Sequence, residues 1–205
     1  MLPSRVFAVI PAAGQSRRMG TPKLTLPVAG TTVIGRVIAA LQQARVTDIA
    51  IVTRRNDELL HAEIRRHGVT AILPEVDPPD MRVSIEQGLN WIEQVHQPAP
   101  EDAWLLLPAD HPIIDAKLLG LILNAWQAAS TDVLIPVCNG RRGHPLIARW
   151  KTVTAVRQLP PDVGVNRWLR DPATTVTGFA LNDPRILCDL DHPEDYARLL
   201  ASFTK

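Results

Sequence analysis

Residues 6–27 have the sequence VFAVIPAAGQSRRMGTPKLTLP, and this stretch decides the interpretation of the whole chain. It begins with an unbroken apolar run, VFAVI, which is typical of a strand buried on both faces of a parallel sheet. The run ends in a small-residue turn, Ala12–Gly14, and the cations that follow before the next apolar segment are Arg17, Arg18 and Lys23. Because ligands bind beyond the carboxyl ends of strands in α/β sheets, this loop predicts a site for an anion.

The alternation of strand and helix continues through the first two thirds of the chain. Further short apolar runs predict strands at residues 49–52, 71–73, 104–107 and 133–137. Apolar residues at helical spacing predict helices around residues 33–41, 59–64, 85–92 and 118–123, with Asn56 and Asp115 as the expected N-caps of the second and fourth. This order predicts an α/β fold, a doubly wound, mainly parallel sheet with helices on both faces.

The pattern becomes less regular after Gly140. Residues 144–150 and 176–180 are expected to form strands, and residues 152–159 and 163–170 are expected to form short helices. No repeat, linker or low-complexity tract divides the sequence, so we expect a single domain over residues 1–205.

The composition excludes several classes of protein. With 205 residues, 46% of them hydrophobic, the chain is long enough to bury one sizeable core. Its 22 basic and 21 acidic residues argue against a broad surface for nucleic acid or an anionic membrane. No segment is long and apolar enough for a signal peptide or a membrane span, so we expect a cytoplasmic protein. Cys138 and Cys188 have no disulfide or metal-site spacing and are expected to be reduced and buried.

The glycines of the basic loop exclude two common phosphate-binding motifs. The spacing of Gly14 and Gly20 does not match the dinucleotide fingerprint, and a Walker A loop would need its second glycine one residue earlier, followed by Lys and Ser or Thr. A small-residue turn whose backbone N–H groups approach an anion, together with the three cations, suits the phosphates of a nucleoside triphosphate. The alternative is a solvated loop with surface arginines.

Four segments resemble one enzyme family. Residues 12–27 match the pattern A-A-G-x-S-x-R-M-G-x-P-K-L-x-L-P, which resembles the signature loop of the molybdenum cofactor cytidylyl- and guanylyltransferases. The other segments follow in the family's order and are LLLPADHPII (105–114), GRRGHPLI (140–147) and DLDHPEDYARL (189–199). The resemblance implies a Rossmann-like nucleotidyltransferase fold, a loop that holds a triphosphate, and aspartates that hold Mg²⁺. It also implies a nucleotide-binding part at about residues 1–115 and an acceptor-binding part at about 116–205.

The resemblance assigns roles within the loop. Lys23 is expected to contact the α-phosphate and Arg18 the outer phosphates, and these two are the candidate catalytic residues. The expected nucleotide-binding residues are Ala12, Ala13, Gly14, Gln15, Ser16, Arg18, Lys23 and Ser84.

Three aspartates are candidate metal ligands. Asp110 follows the predicted strand 104–107, where a carboxylate faces the ligand crevice and suits Mg²⁺, although an aspartate before His111-Pro112 also suits a turn. Asp189 and Asp191 are two residues apart, so on an extended segment both point to one side. Asp191 is alternatively the N-cap of the last helix, with Glu194 at the third helical position.

The acceptor site is expected at His144 and Arg142. For an isolated histidine a structural role is favoured, and the resemblance moves His144 to the pocket of the acceptor substrate. Arg141 and Arg142 suit an anionic substrate, and solvation of one or both is the alternative. The sequence departs from the family's pattern at several positions. Asp80 and Arg82 replace a glycine and a serine near the base, Pro161 and Val165-Asn166 replace Gly and Ala-Arg, and His111 and His192 stand where glutamine and threonine are common.

The expected reaction is nucleotidyl transfer from a nucleoside triphosphate to a phosphorylated acceptor, with molybdenum-bearing molybdopterin as the acceptor that the resemblance implies. CTP is favoured over GTP, because Pro11-Ala12-Ala13-Gly14 resembles the cytidylyl members and the guanylyl members usually have Leu-Ala-Gly-Gly. A recipient molybdoenzyme or chaperone is a further candidate partner. The alternatives are a guanylyltransferase, a transferase for another phosphorylated small molecule, and a non-catalytic nucleotide-binding regulator or cofactor chaperone. An NAD-dependent oxidoreductase is disfavoured, because the sequence lacks the glycine fingerprint of dinucleotide-binding folds.

Overall fold

The computed structural model describes residues 4–160 and 163–203. Pro161, one of the departures from the family pattern, lies outside the described residues. The strands are β1 (Val6–Pro11), β2 (Pro27–Val28), β3 (Thr31–Thr32), β4 (Asp48–Val52), β5 (Ala71–Ile72), β6 (Ala103–Leu106), β7 (Val133–Cys138), β8 (Arg141–Arg142), β9 (Leu146–Arg149) and β10 (Val176–Ala180). The helices are α1 (Val33–Gln43), α2 (Glu58–Arg66), α3 (Met81–His96), α4 (Ala116–Ala128), α5 (Val153–Arg157), α6 (Val165–Trp168) and α7 (Pro193–Ser202).

One large sheet carries the fold, with the strand order β10-β7-β9-β6-β1-β4-β5 and β8 paired to β7. Its parallel pairs are β1 with β4, β1 with β6, β4 with β5, and β7 with β10, whereas β9 runs antiparallel to both β6 and β7. The expected mainly parallel α/β sheet is confirmed. Strands β2 and β3 form a separate two-stranded ribbon.

The unbroken apolar run of β1 is explained by cores on both faces of the sheet. Ala8 and Ile10 belong to a core that α1 and α4 cover, while Phe7 and Val9 belong to a second core that α3 covers. Since successive side chains of a strand point to opposite faces, every residue of β1 has to be apolar. The strand is thereby fixed at the centre of the sheet.

The strand order places a crevice at the carboxyl end of β1. β1 lies between β4 and β6 and is parallel to both, with Pro11 beside Val52 and Val9 beside Leu106. The strand order therefore reverses at β1, and the loops that follow the three strands meet at one edge of the sheet. Such a switch point is where open α/β sheets bind their ligands.

Several local predictions need correction. Asp57, and not Asn56, caps α2, because its carboxylate accepts a hydrogen bond from the Leu60 N–H at 3.4 Å. Asp115 caps α4 as expected, accepting from the Leu118 N–H at 2.8 Å. The cysteines are both free, but only Cys138 is buried, and Cys188 is partly exposed. Among the described residues, no helix is both long and apolar enough to cross a membrane.

Candidate active site

The basic loop folds back on itself after β1. The Ala12 N–H donates to the Val52 carbonyl at 2.8 Å, which ties the start of the loop to β4. Ser16 has a positive φ of 50°; its carbonyl accepts from the Met19 N–H at 3.1 Å, and its hydroxyl accepts from the Lys23 N–H at 3.3 Å. These bonds close the loop around Ser16 and direct Lys23 toward the sheet edge.

Lys23 joins three oxygen atoms from the second and last of the family-like segments. Its Nζ donates to Asp110 Oδ2 at 2.6 Å, to the Leu190 carbonyl at 2.5 Å and to Asp191 Oδ1 at 3.3 Å. The Lys23 side chain is 13% exposed and that of Asp110 is 19% exposed, so this pair is largely shielded from water. The cluster therefore assembles charges that are far apart in sequence.

Asp110 is held in its ionised form. Burial by itself would raise the pKa of this carboxyl, but the hydrogen bond from His111 and the positive charge of Lys23 outweigh it and hold the pKa well below its usual range. An ionised carboxylate at the carboxyl end of β6 suits a cation or a phosphate-bound metal.

Asp191 faces the loop and does not cap the last helix. Its Oδ2 accepts from Arg18 Nη1 at 2.7 Å, while its backbone N–H donates to Asp195 Oδ2 at 2.9 Å. The same Asp195 oxygen accepts from the His192 N–H at 2.7 Å, and α7 begins with His192 as its N-cap. The acid that closes this helix start is thus Asp195 and not Glu194. The capping alternative for Asp191 is wrong, and its side chain remains available to the loop.

A cavity of about 510 Å³, called here the loop cavity, lies between the loop, the start of α3 and the two carboxylates. This volume is in the usual range for small-molecule sites. The predicted site residues that line it are Ala12, Ala13, Gly14, Gln15, Lys23, Ser84, Asp110 and Asp191. Ser16 instead lines a smaller cavity of about 250 Å³ on the other side of the loop, Arg18 contacts Asp191, and Asp189 is exposed and lines neither cavity.

The departure at Asp80 has a structural explanation. The Asp80 carboxylate accepts from the Val83 N–H at 2.9 Å and caps α3, and the Ser84 hydroxyl donates to the Asp80 carbonyl at 3.2 Å. Arg82 turns away to pair with Glu86, 2.7 Å between Nη2 and Oε1. The helix start that borders the loop cavity is therefore built from different contacts than a Gly-Met-Ser segment would make.

Arg54 was missed by the sequence interpretation. It follows β4 and lines both the loop cavity and the smaller cavity. Its Nη2 lies 3.7 Å from Asp57 Oδ2. Its Nε is buried without a hydrogen-bond partner. Its position two residues after a predicted strand, at the same sheet edge as the basic loop, was the signal that could have found it.

His144 and Arg142 line a separate cavity of about 300 Å³, called here the histidine cavity. Its floor is apolar and includes Ile85, Leu106 and Leu146. Burial is the largest cause that lowers the pKa of His144 to about 4, and the electrostatic effect of the nearby His111 acts in the same direction. The imidazole of His144 is therefore neutral at pH 7. Its Nδ1 is buried without a partner.

Gly143 is required by the close approach of the chain after β10. The His144 N–H donates to the Ile186 carbonyl at 2.9 Å, and a Cβ on Gly143 would lie 2.5 Å from that same oxygen. The Gly-His order of this segment is therefore explained by packing.

The residues fit a divalent cation held jointly with phosphates. Within residues 4–160 and 163–203, no three His, Cys, Asp or Glu side chains converge on one point. Asp110 and Asp191 converge as a pair, and the ammonium of Lys23 lies between them. Two carboxylates are a hard-oxygen donor set, and Mg²⁺ is commonly bound by one or two carboxylates together with substrate phosphates.

The fold is thus a mostly parallel sheet with helices on both faces, and the basic loop that follows its central strand meets two carboxylates at one edge of the sheet. A family model described as the MobA-like NTP transferase domain matches residues 8–176, and the chain belongs to this family.

Curated relatives fall into two groups. The chain is 26% identical over 134 residues to the bifunctional protein GlmU of Gloeobacter violaceus, but this match covers 64% of the chain and only 28% of that longer protein. It is 23% identical over 202 residues to the molybdenum cofactor cytidylyltransferase of Escherichia coli, covering 98% of the chain and 99% of the relative. It is 26% identical over 204 residues to the molybdenum cofactor guanylyltransferase of Cereibacter sphaeroides, covering 95% of each.

Solved structures have the same fold. The homolog of Mycobacterium tuberculosis Rv0371c from Mycobacterium sp. strain JC1 is 26% identical, with a TM-score of 0.80 and 98% of each chain covered. Rv0371c of M. tuberculosis, solved as a complex with manganese, is 24% identical and has a TM-score of 0.75. The match covers 97% of this chain and 100% of Rv0371c.

Proposed function

We propose that this protein transfers CMP from CTP to a phosphorylated acceptor, molybdenum-bearing molybdopterin, and releases pyrophosphate. The observation that carries the proposal is the position of Lys23, which lies between Asp110 and Asp191 at the wall of the loop cavity. Cations and carboxylates arranged around a loop of small residues suit a triphosphate bound with a divalent metal.

The reaction needs no covalent intermediate on the protein. An oxygen of the acceptor phosphate attacks the α-phosphorus in line, and the bond from that phosphorus to the α–β bridging oxygen breaks, so that pyrophosphate leaves with the electron pair. Lys23 neutralises charge at the α-phosphate, and Arg18 with the backbone N–H groups of residues 13–16 holds the outer phosphates. Asp110 and Asp191 would hold Mg²⁺, which would supply further charge neutralisation at the phosphate oxygens.

CTP is proposed as the nucleotide on the resemblance of Pro11-Ala12-Ala13-Gly14 to the cytidylyl members. The full-length curated relatives do not separate the two bases, since the cytidylyltransferase is 23% and the guanylyltransferase 26% identical. The preference is measured as kcat/KM for CTP and GTP with the same acceptor. A higher value for GTP would replace the base in this proposal and leave the reaction class in place.

The histidine cavity is proposed as the acceptor site. Its apolar floor suits the body of a flat organic molecule, and the exposed Arg142 at its wall suits an anionic group. Met81 lines both this cavity and the loop cavity, so an acceptor bound here would lie beside the nucleotide. The free thiols of Cys138 and Cys188 suit the reducing cytoplasm, where we place the reaction.

A pyrophosphate-release screen tests the proposal. CTP, GTP, ATP and UTP are each incubated with Mg²⁺ and with molybdenum-bearing molybdopterin or simple phosphorylated acceptors, and Asp110→Asn serves as the impaired control. We expect release that requires both CTP and molybdenum-bearing molybdopterin. Tight nucleotide binding without release under any condition would contradict transfer and favour a nucleotide-binding regulator.

A further inference from the structure

His111 is a buried histidine that has no role in the reaction as described. It is 5% exposed and follows Asp110 directly. Its Nδ1 lies 3.0 Å from Asp110 Oδ1, the carboxylate oxygen that Lys23 does not contact. An ionised carboxylate only accepts hydrogen bonds, so the proton of this bond is on His111 Nδ1. The two oxygens of Asp110 are therefore held by different partners, one by His111 and one by Lys23.

The same imidazole also contacts His144, a residue that lines the histidine cavity. Its ring centroid is 4.8 Å from that of His144, and the two planes meet edge to face at 76°. His144 lines the histidine cavity, while Asp110 lines the loop cavity. The side chains of Lys23, Asp110, His111 and His144 thus form a continuous series of contacts between the two cavities.

We propose that His111 is a positioning residue that links the two cavities through Asp110. Its Nδ1–H fixes the rotation of the Asp110 carboxylate, so that Oδ2 stays toward Lys23, and its contact with His144 fixes the wall of the acceptor site. The inference rests on the proposed function, because it assigns the two cavities to nucleotide and acceptor. A glutamine at this position would have one more rotatable bond than histidine and no ring edge to present to His144.

Two substitutions separate the two contacts. In His111→Asn the side-chain amide places an N–H where Nδ1 lies and removes the rest of the ring. In His111→Phe the ring remains and the donor is lost. The first should keep the orientation of Asp110 and loosen the acceptor site, and the second should do the reverse.

The nucleotide side is measured without turnover. Binding of CTP is followed across a Mn²⁺ titration, with bound Mn²⁺ detected by electron paramagnetic resonance and no acceptor present. We expect His111→Phe to need about tenfold more Mn²⁺ for half-maximal binding, as for other groups that orient metal ligands, and His111→Asn to stay within about twofold of the unmodified protein. The KM for the acceptor should rise in His111→Asn and stay near normal in His111→Phe.

The melting temperature of each variant without metal shows whether it is folded. If His111→Phe fails to fold, His111→Gln and His111→Met form a second pair of similar volume, with and without a donor. Equal Mn²⁺ dependence in the donor-containing and donor-free variants would overturn the inference, even where the unmodified protein transfers CMP. A protein that binds metal and nucleotide without transferring it contradicts the proposed function, while its Mn²⁺ titrations still decide the role of His111 at Asp110. A protein that binds neither CTP nor GTP with Mn²⁺ overturns both.

Discussion

The Nζ of Lys23 lies 2.6 Å from Oδ2 of Asp110, which pairs a cation of the first loop with a carboxylate 87 residues later in the chain. The pair is largely buried, and removing either charge leaves the other in a poorly solvated place. Folding has therefore already removed much of the water from these two charges. An incoming phosphate and metal would replace one ionic partner by another, which lowers the cost of desolvation at the moment of binding.

Replacing Lys23 should abolish most of the activity without unfolding the protein. Lys23→Ala removes a charge expected to stabilise the transition state, and we predict a loss of turnover on the order of a hundredfold or more. Lys117→Ala is the matched control, because Lys117 is an exposed lysine on α4. Turnover is measured by pyrophosphate release at saturating Mg²⁺. Near-normal turnover in Lys23→Ala would remove this residue from the site.

Asp110→Asn and Asp191→Asn should both shift the Mg²⁺ dependence of activity to higher concentration, because each removes one negative charge from a hard-cation site. Their stabilities should differ. Asp191 makes no helix cap, pairs with the exposed Arg18 at 2.7 Å and lies 3.3 Å from Lys23, which keeps its closer partner Asp110, so Asp191→Asn should lose less stability than Asp110→Asn. Asp110→Asn weakens charged hydrogen bonds to Lys23 and His111 and should cost about 2 kcal/mol.

Metal-free melting and a Mg²⁺ titration of both variants check this pair of expectations. If the Mg²⁺ titration of Asp191→Asn matched that of the unmodified protein, Asp191 would not be a metal ligand, and Asp110 would be the one proposed ligand left of this pair.

The stability of the protein should fall as the pH is lowered from about 6.5 to 4. The pKa of His144 is lowered to about 4 in the folded state, so the unfolded chain binds a proton first, and the folded state loses stability through this window. The full loss in the free energy of unfolding is up to about 3 kcal/mol, because each unit between the unfolded and folded pKa values is worth about 1.4 kcal/mol. His144→Asn should flatten the pH dependence of melting over this range. A pH profile of melting that is the same in His144→Asn as in the unmodified protein would refute the burial of His144 as its cause.

Asp110 contributes in a lower window. Its folded-state pKa is lowered, so its stabilising contribution is complete above the pKa of the unfolded carboxyl, near 3.9, and is lost as the pH falls further. The two effects are therefore separable by the pH at which each variant departs from the unmodified protein.

Two glycines should respond to alanine in opposite ways. A Cβ at Gly143 would lie 2.5 Å from the Ile186 carbonyl oxygen, so Gly143→Ala should destabilise the protein by about 1–3 kcal/mol. Gly120 lies within α4, where a Cβ would meet open space, so Gly120→Ala should stabilise by about 0.5–1 kcal/mol. Urea unfolding of both variants measures these differences. A neutral Gly143→Ala would mean that the segment around Ile186 moves freely.

The strands and helices of the sheet could be predicted from the spacing of apolar residues and from the residues at helix starts, because each of these signals is local. The apolar run of β1 and the cap at Asp115 are both properties of a few neighbouring residues, and the structure has both. Where two suitable acids or amides adjoin, local signals fail. Asp57 rather than Asn56 caps α2, and Asp195 rather than Glu194 closes the start of α7.

Contacts between distant segments were outside the reach of local patterns. The approach of His111 to His144 and the place of Arg54 beside two cavities depend on how the strands are ordered. The place of β9 in the sheet is an example. It lies antiparallel between β6 and β7, and this position brings the Gly143-His144 segment to the sheet edge. A single sequence gives the existence of such a strand but not its neighbours.

Transfer of CMP as one unit can be followed with a label in the α-phosphate of CTP. The protein is incubated with CTP labelled in the α-phosphate, Mg²⁺ and molybdenum-bearing molybdopterin, and the products are separated. We predict that the label moves to the acceptor together with the cytosine ring, with one pyrophosphate released for each acceptor modified, and that Lys23→Ala forms almost none of this product. Label recovered only as CDP or as free CMP, with an unmodified acceptor, would contradict nucleotidyl transfer.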